Sequence, residues 1–136
     1  MKRTLILIAT VTVIGLPIAT LACGACVEDR IAATYDYATI NAAIAKHQQV
    51  VFVAVDGPIS AKLIDTRIVA AASKVRGVQT GTLRTSLSPQ AFSFVLDPEY
   101  EPKVAVAGFR KAVRDASVRL TLLRVVRDDA LLEAPQ

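Results

Sequence analysis

The chain has 136 residues, a formal net charge of +4, two cysteines, one histidine and no tryptophan. This length suits one domain with one hydrophobic core. The single histidine argues against a Cys/His zinc set and against a Ser-His-Asp or Cys-His catalytic group. Lys2 and Arg3 supply two of the positive charges, and without them the net charge is about +2. That value gives little support to an anionic partner such as a nucleic acid.

The first 22 residues have the pattern of an export signal. Two basic residues precede an uncharged apolar run over 4–14, and a Gly/Pro break with small residues follows. Cleavage after Ala22 would leave Cys23 as the first residue, whereas cleavage after Gly24 or Ala25 would remove it. We therefore expect residues 1–22 to be a signal peptide and the protein to be periplasmic or secreted. If the signal is not cleaved, this segment would be the only membrane contact.

Both cysteines lie directly behind this segment, in Cys23-Gly24-Ala25-Cys26. Two thiols at this spacing can chelate a soft metal ion or form a reducible disulfide. A helix predicted to start at Val27 would lower the thiol pKa values, because its N-terminal dipole favours thiolate. In an oxidising compartment a plain disulfide is a common outcome. Metal binding, a disulfide or redox role, and no chemistry all remain open at this point.

The next elements alternate between helix and strand. Apolar residues at spacings of three and four predict a helix over 27–47. The β-branched run over 50–55 predicts a strand buried on both faces. Ser60 is a candidate N-cap for a helix that ends at Gly77. Residues 78–87 alternate loosely, and Gly81 indicates a bulge or a bend.

The second half continues the same order. Ser88-Pro89-Gln90 predicts a turn and residues 91–96 a strand. Pro102 suits the first turn of a helix, whose buried stripe would be Val106, Phe109, Val113 and Ala116. Residues 120–126 form the last predicted strand, and 129–136 a frayed tail.

This order predicts an α+β fold of the ferredoxin-like type, a βαββαβ sandwich with a four-stranded antiparallel sheet. The expected organisation is a Cys-x-x-Cys segment and additional N-terminal helix over 23–49, the ferredoxin-like domain over 50–128, and the tail. Both faces of the first strand are apolar, so the N-terminal helix should cover the second face. The alternative is a homodimer in which two copies cover one another through the sheet.

Residues 50–127 resemble the heavy-metal-associated domain family. The resemblance lies in Val53-Ala54-Val55-Asp56-Gly57 before a helix, Gly77-Val78 at the second strand, and Phe92 to Asp97-Pro98. The family holds copper(I) or a similar ion in a loop that reads Gly-Met-x-Cys-x-x-Cys. Here Gly57 matches, but Pro58 replaces Met, and Ser60 and Leu63 replace the two cysteines. The resemblance therefore implies the fold but no metal site in this degenerate loop.

Cys23 to Ile31 itself resembles the family's Cys-x-x-Cys-Val-x-x-Ile helix start, displaced to the N-terminus. A straight helix over 27–47, antiparallel to the first strand, would return the thiols to the end where the family keeps its metal. We therefore expect a soft-metal-binding protein with Cys23 and Cys26 as thiolate ligands of Cu(I) or another soft ion. It would be a component of metal transport or resistance. The alternative is a non-metal protein-interaction module with a Cys-x-x-Cys disulfide.

The remaining polar residues point to no enzyme. His47 is expected to interact with the C-terminal dipole of the first helix. Tyr35 is expected to pack on the sheet and Tyr37 to face its edge or solvent. Arg110, Lys111 and Arg114 would form a solvated helix face, since the stretch lacks the interleaved aromatics of a nucleic-acid surface.

Overall fold

The computed structural model describes residues 22–58, 60 and 64–128, with side chains from Val27 onward. Residues 1–21 of the predicted signal, Leu63 and the predicted tail lie outside the described residues. The elements are α1 (Ala22–Ala33), α2 (Tyr37–Ala45), β1 (Gln49–Asp56), α3 (a π-helical turn Ile64–Ile68 followed by an α-helical turn Val69–Ala72), β2 (Val78–Leu87), β3 (Gln90–Leu96), α4 (Pro102–Val113) and β4 (Arg119–Val126).

The four strands form one antiparallel sheet with the order β2-β3-β1-β4, and the fold is a mixed α+β fold. β1 lies in the interior of the sheet, between β3 and β4. The first seven residues of β1 are all buried, which confirms the prediction from its continuous apolar run. β-branched side chains suit this position because they pack well on a pleated surface.

One face of the sheet is covered by α3 and α4. Val51, Val53 and Val55 of β1 point into this core, together with Phe92 and Phe94 of β3. The ring of Phe109 from α4 packs against both β3 phenylalanines, with centroid distances of 5.0 Å to each. The predicted stripe of Val106, Phe109 and Val113 is confirmed as buried. Ala116 was predicted wrongly: α4 ends at Val113, and Ala116 is exposed in the following turn.

The opposite face is covered by the N-terminal helices, as the apolar character of that side of β1 predicted. Val50, Phe52 and Val95 pack there against Ile31 of α1 and Ile40 of α2. Tyr35, in the connection between the two helices, stacks on Phe52 with ring centroids 6.2 Å apart. The prediction that Tyr35 packs on the sheet is therefore confirmed, and Tyr37 is exposed as expected.

The prediction of one continuous helix over 27–47 is wrong. Asp36 has an extended backbone and caps α2, accepting a hydrogen bond from Thr39 N at 3.2 Å. The same carboxylate pairs with Arg84 of β2, whose Nε lies 2.9 Å from Asp36 Oδ2. A capping aspartate competes with a helical backbone at its own position, so the chain breaks between α1 and α2. The packing of both helices on one sheet face stabilises this break.

α2 ends in a Schellman motif. His47 has a φ of 56°. Its N–H donates to Ile44 O, and the N–H of Gln48 donates to Ala43 O, both at 2.9 Å. His47 therefore follows the helix rather than lying in its last turn, which corrects the prediction. Its Nδ1 lies 3.3 Å from a carboxylate oxygen of Asp128.

The helix between β1 and β2 is also shorter than predicted. α3 ends at Ala72, and Gly77 lies in the turn before β2 with a φ of 80°. A side chain at Gly77 would clash with the ring of Tyr100. In β2 the pairing register shifts between Gln79 and Arg84, which confirms that the strand is irregular around Gly81, as the predicted bulge or bend requires.

Candidate functional site

The two cysteines lie within α1, at its second and fifth positions. The predicted helix start at Val27 was therefore too late. Helical residues three positions apart lie on the same side of the helix, which is the spacing that a chelating pair needs. The side chains of Cys23 and Cys26 lie outside the described residues, so the predicted ligand pair remains a prediction.

α1 is attached to the end of β1 by an ion pair. Arg30 Nη2 lies 2.7 Å from Asp56 Oδ1, and Asp56 is the last residue of β1. Cys26 lies one helical turn before Arg30, or about 6 Å along the axis. The predicted geometry, a straight helix antiparallel to β1, is wrong, because α1 and α2 are separate helices. α1 nevertheless reaches the end of β1 that precedes Gly57.

α1 also crosses the sheet, since it contacts β4, β1 and β3. From the middle of the helix, Glu28 pairs with Arg124 of β4 at 2.5 Å. Near its end, Ala32 and Ala33 face the turn between β2 and β3. An open groove of about 660 Å³ lies there, lined by Asp29, Arg30, Ala32, Ala33, Ser88 and Pro89. Sequence patterns did not predict this groove, because its walls are distant in the chain.

The structure explains why the degenerate loop contains a glycine. Gly57 has a φ of 130°, and a side chain there would clash with the carbonyl oxygen of Ser117 in the turn before β4. Pro58 and Ser60 are exposed, and the Ser60 carbonyl accepts a hydrogen bond from Ile64 N at 3.4 Å. Gly57 is therefore required for the close approach of two loops, whatever the loop binds.

Among the described residues, Asp36 and Asp115 have carboxyl groups with lowered pKa values, and both accept hydrogen bonds from a residue two or three positions later. The hydrogen bond from the Thr39 backbone lowers the pKa of Asp36, and the Arg84 side chain lowers it further. The pKa of Asp115 is lowered chiefly by hydrogen bonds from the hydroxyl and backbone of Ser117. Ser117 donates these bonds at 2.6 and 3.0 Å. Both shifts favour the charged form of the carboxyl group and have local structural causes.

Arg110 differs from the solvated residue that was predicted. Its Nε and Nη2 both donate to the carbonyl of Leu120 in β4, at 3.1 and 2.6 Å. A guanidinium carries several N–H donors in a planar fork, so two of them can donate to the same oxygen. The arginine thereby joins α4 to the start of β4. A helical surface pattern cannot reveal such a contact, since its acceptor is a backbone atom.

Within the described part of the chain, no group of three or more His, Cys, Asp or Glu side chains could hold a metal ion. No helix there is both long and apolar enough to cross a membrane. No family model, no curated protein and no solved structure matches this sequence.

Proposed function

We propose that the α+β core is a ferredoxin-like domain related to the heavy-metal-associated family. The order of elements from β1 to β4 is strand-helix-strand-strand-helix-strand, which is that of a split βαβ unit. The antiparallel sheet and the packing of α3 and α4 on one face support this proposal. α1 and α2 would then be an addition that covers the other face.

We propose that the protein is exported and binds one soft metal ion, such as Cu(I), through Cys23 and Cys26, without a catalytic step. The observation that carries this proposal is the position of the thiol pair in the first turns of α1, a helix attached to Asp56 by Arg30. Two thiolates suit Cu(I), which prefers soft ligands. The N-terminal turn of a helix also favours thiolate over thiol.

The role would be transport or resistance rather than structural metal binding. The core of the described residues is complete without a metal, since both faces of the sheet are covered by apolar side chains. An ion held by only two ligands at the start of a helix would be accessible to a partner. Export places this site in a periplasmic or extracellular compartment, where the pair would also form a disulfide when no reductant or metal is present.

The test is Cu(I) titration of the reduced mature protein against a colorimetric Cu(I) chelator. We expect one Cu(I) per chain and loss of binding in the double variant Cys23→Ser/Cys26→Ser. Ser60→Ala is the matched control, because it changes the degenerate loop and should leave binding unchanged. Unfolding by urea would verify that all variants remain folded. Unchanged binding in the double variant would refute the proposal.

Intact mass of the mature protein is the companion measurement. A mass that begins at Cys23 retains both thiols, and a loss of two mass units without reductant identifies the disulfide. A mature chain that begins after Gly24 or Ala25 lacks Cys23. In that case the two-thiol site does not exist in the exported protein, and the metal proposal fails.

A second candidate function is that of a protein-interaction module that has lost the family's loop ligands. The observation that favours it is the β4 edge of the sheet: among the described residues, β4 pairs only with β1. This function requires neither cysteine.

A further inference from the structure

The two helices that cover one face of the sheet are anchored differently. α2 is fixed at both ends, since Asp36 caps its start and pairs with Arg84, and its Schellman motif leads directly into β1. Ile40 and Ala43 bury the middle of α2. Among the described side chains of α1, Ile31 is the one that is buried. The attachment of α1 to the sheet therefore depends more on polar contacts.

Two ion pairs hold the middle of α1 on the sheet. Arg30 pairs with Asp56 at the end of β1, and Glu28 pairs with Arg124 of β4. The four side chains are between 25% and 62% exposed, so salt screens both pairs. On its other side, α1 borders the open groove that lies between it and the β2–β3 turn. Packing against this turn therefore does little to hold α1 in place.

Release of α1 from the sheet would leave few charges without a partner or water. Arg119 of β4 lies directly opposite Asp56 in the pairing register, so this carboxylate keeps a neighbouring cation when Arg30 leaves. Arg124 is already 48% exposed and can be hydrated. The apolar cost of release comes mainly from Ile31, from the partly buried Val27 and from the sheet surface beneath them.

The chain is fixed again at the end of α1. Thr34 is buried, and its carbonyl accepts a hydrogen bond from Ser93 Oγ at 2.8 Å. Tyr35 follows it and stacks on Phe52. These contacts allow α1 to move without α2. A released α1 would also lose its helix, because a helix of twelve residues that contains Gly24 is marginal by itself.

We propose that α1 is a latched arm: the ion pairs of Arg30 and Glu28 hold it on the sheet, and their release lets it leave the sheet from Thr34 onward, with the thiol pair, while the rest of the domain stays folded. This inference rests on the proposed metal function and names the regulation of its site. In the docked arm, the helix keeps the two cysteines three positions apart on one side. In the released arm this spacing is no longer fixed, so the ion can pass to the ligands of a partner. A partner whose surface charges compete for either ion pair would promote delivery.

The arm is tested on mature protein carrying Cys23→Ser/Cys26→Ser, so that neither a metal nor a disulfide contributes. Hydrogen exchange followed by NMR should be at least about tenfold faster for the α1 amides than for the β1 amides, and should depend less on urea, as local opening does. Raising the salt from about 50 to about 500 mM should accelerate α1 exchange by about threefold or more, because both ion pairs are screened.

The double variant Glu28→Gln/Arg30→Gln, in the same background, identifies the latch. It should raise the α1 exchange rate by about threefold or more at low salt, remove most of the salt dependence and change α2 exchange little. Arg67→Gln is the matched control, because it removes an ion pair of similar exposure, with Asp115, on the opposite side of the sheet. It should leave α1 exchange unchanged.

The role in delivery is tested by transfer of Cu(I) from the reduced protein with both cysteines to a colorimetric chelator. Glu28→Gln/Arg30→Gln should transfer the ion about threefold faster or more, and Arg67→Gln should transfer it at the rate of the unmodified protein. A protein that binds no Cu(I) would refute the metal function alone, since α1 exchange is measured without it.

Several results would overturn the arm. These are α1 exchange with the same urea dependence as β1, α1 exchange that salt does not change, joint opening of α1 and α2, or equal acceleration in the control. Equal rates of Cu(I) transfer in the unmodified protein and in Glu28→Gln/Arg30→Gln would overturn its role in delivery.

Discussion

The two faces of the sheet are buried by different means. On the α3/α4 face, the core among the described residues has fifteen buried members and includes three phenylalanines in mutual contact. On the α1/α2 face it has six, and polar contacts supplement them: Arg30 with Asp56, Arg84 with Asp36, and Ser93 with the Thr34 carbonyl. Apolar burial contributes most of the stability of a fold, whereas exposed ion pairs contribute little.

The smaller apolar core indicates that the α1/α2 layer is less stable than the α3/α4 layer. Local opening should therefore start with α1 and α2, which carry the thiol pair. The proposed metal site would then change its exposure without unfolding of the rest of the domain. Variants on the two faces test whether the two layers differ in stability.

The largest effect is expected for Phe109→Ala on the α3/α4 face. The side chain is fully buried against Phe92 and Phe94, and its removal leaves a cavity in this core. We expect a loss of about 3–5 kcal/mol in the free energy of unfolding, measured in urea. Val104→Ala on the same helix is the control, since Val104 is 68% exposed and should change stability by less than about 0.5 kcal/mol. If Phe109→Ala lost less free energy of unfolding than Val104→Ala, the placement of Phe109 in this core would be contradicted.

Phe52→Ala on the α1/α2 face should have a smaller global effect, about 3 kcal/mol, near the lower limit for a buried phenylalanine. Its neighbour Tyr35 is half exposed and can move into the vacated space. Hydrogen exchange should increase in α1 and α2 more than in α3 and α4. Equal increases in both layers would show that the two faces open together.

Ser93→Ala removes a buried hydrogen bond between the sheet and the α1–α2 connection. Ser93 Oγ donates to the Thr34 carbonyl at 2.8 Å, and the substitution leaves that carbonyl without this donor. We expect a loss of about 1–2 kcal/mol, measured by urea unfolding. Ser73→Ala, at an exposed serine after α3, should change stability by less than about 0.5 kcal/mol. Equal losses in the two variants would argue against a specific role of the Ser93 bond.

The smallest effect is expected for Asp36→Asn, and it should depend on pH. The folded pKa of Asp36 lies below its ordinary value, so the charged carboxylate stabilises the fold above about pH 4, and this contribution is lost as the pH falls through the folded pKa. Asparagine retains the cap but not the charge. The difference in Tm between the two proteins should therefore be greatest near neutral pH and should decrease in acid. A constant difference would indicate that the charge has no role.

The sequence by itself predicted the parts of this protein that depend on local periodicity. The buried strand over 50–55, the stripe of Val106, Phe109 and Val113, the bulge in β2 and the covered second face of β1 were all predictable. In the strand and the helix, the apolar pattern indicates which side of the element faces the core. In β2, the glycine indicates where the regular strand is interrupted. The Cys-x-x-Cys pair was equally visible, but the sequence pattern placed it before the helix, whereas it lies within α1.

Only the tertiary structure decided where α1 ends and what α1 contacts. The Asp36 cap was readable in principle, but a helical pattern on both sides of it concealed the break, and its partner Arg84 lies on a distant strand. The Arg30–Asp56 pair and the Arg110 contact with the Leu120 carbonyl likewise join residues of different elements. Periodicity describes one element at a time, whereas these features exist only after the elements have packed.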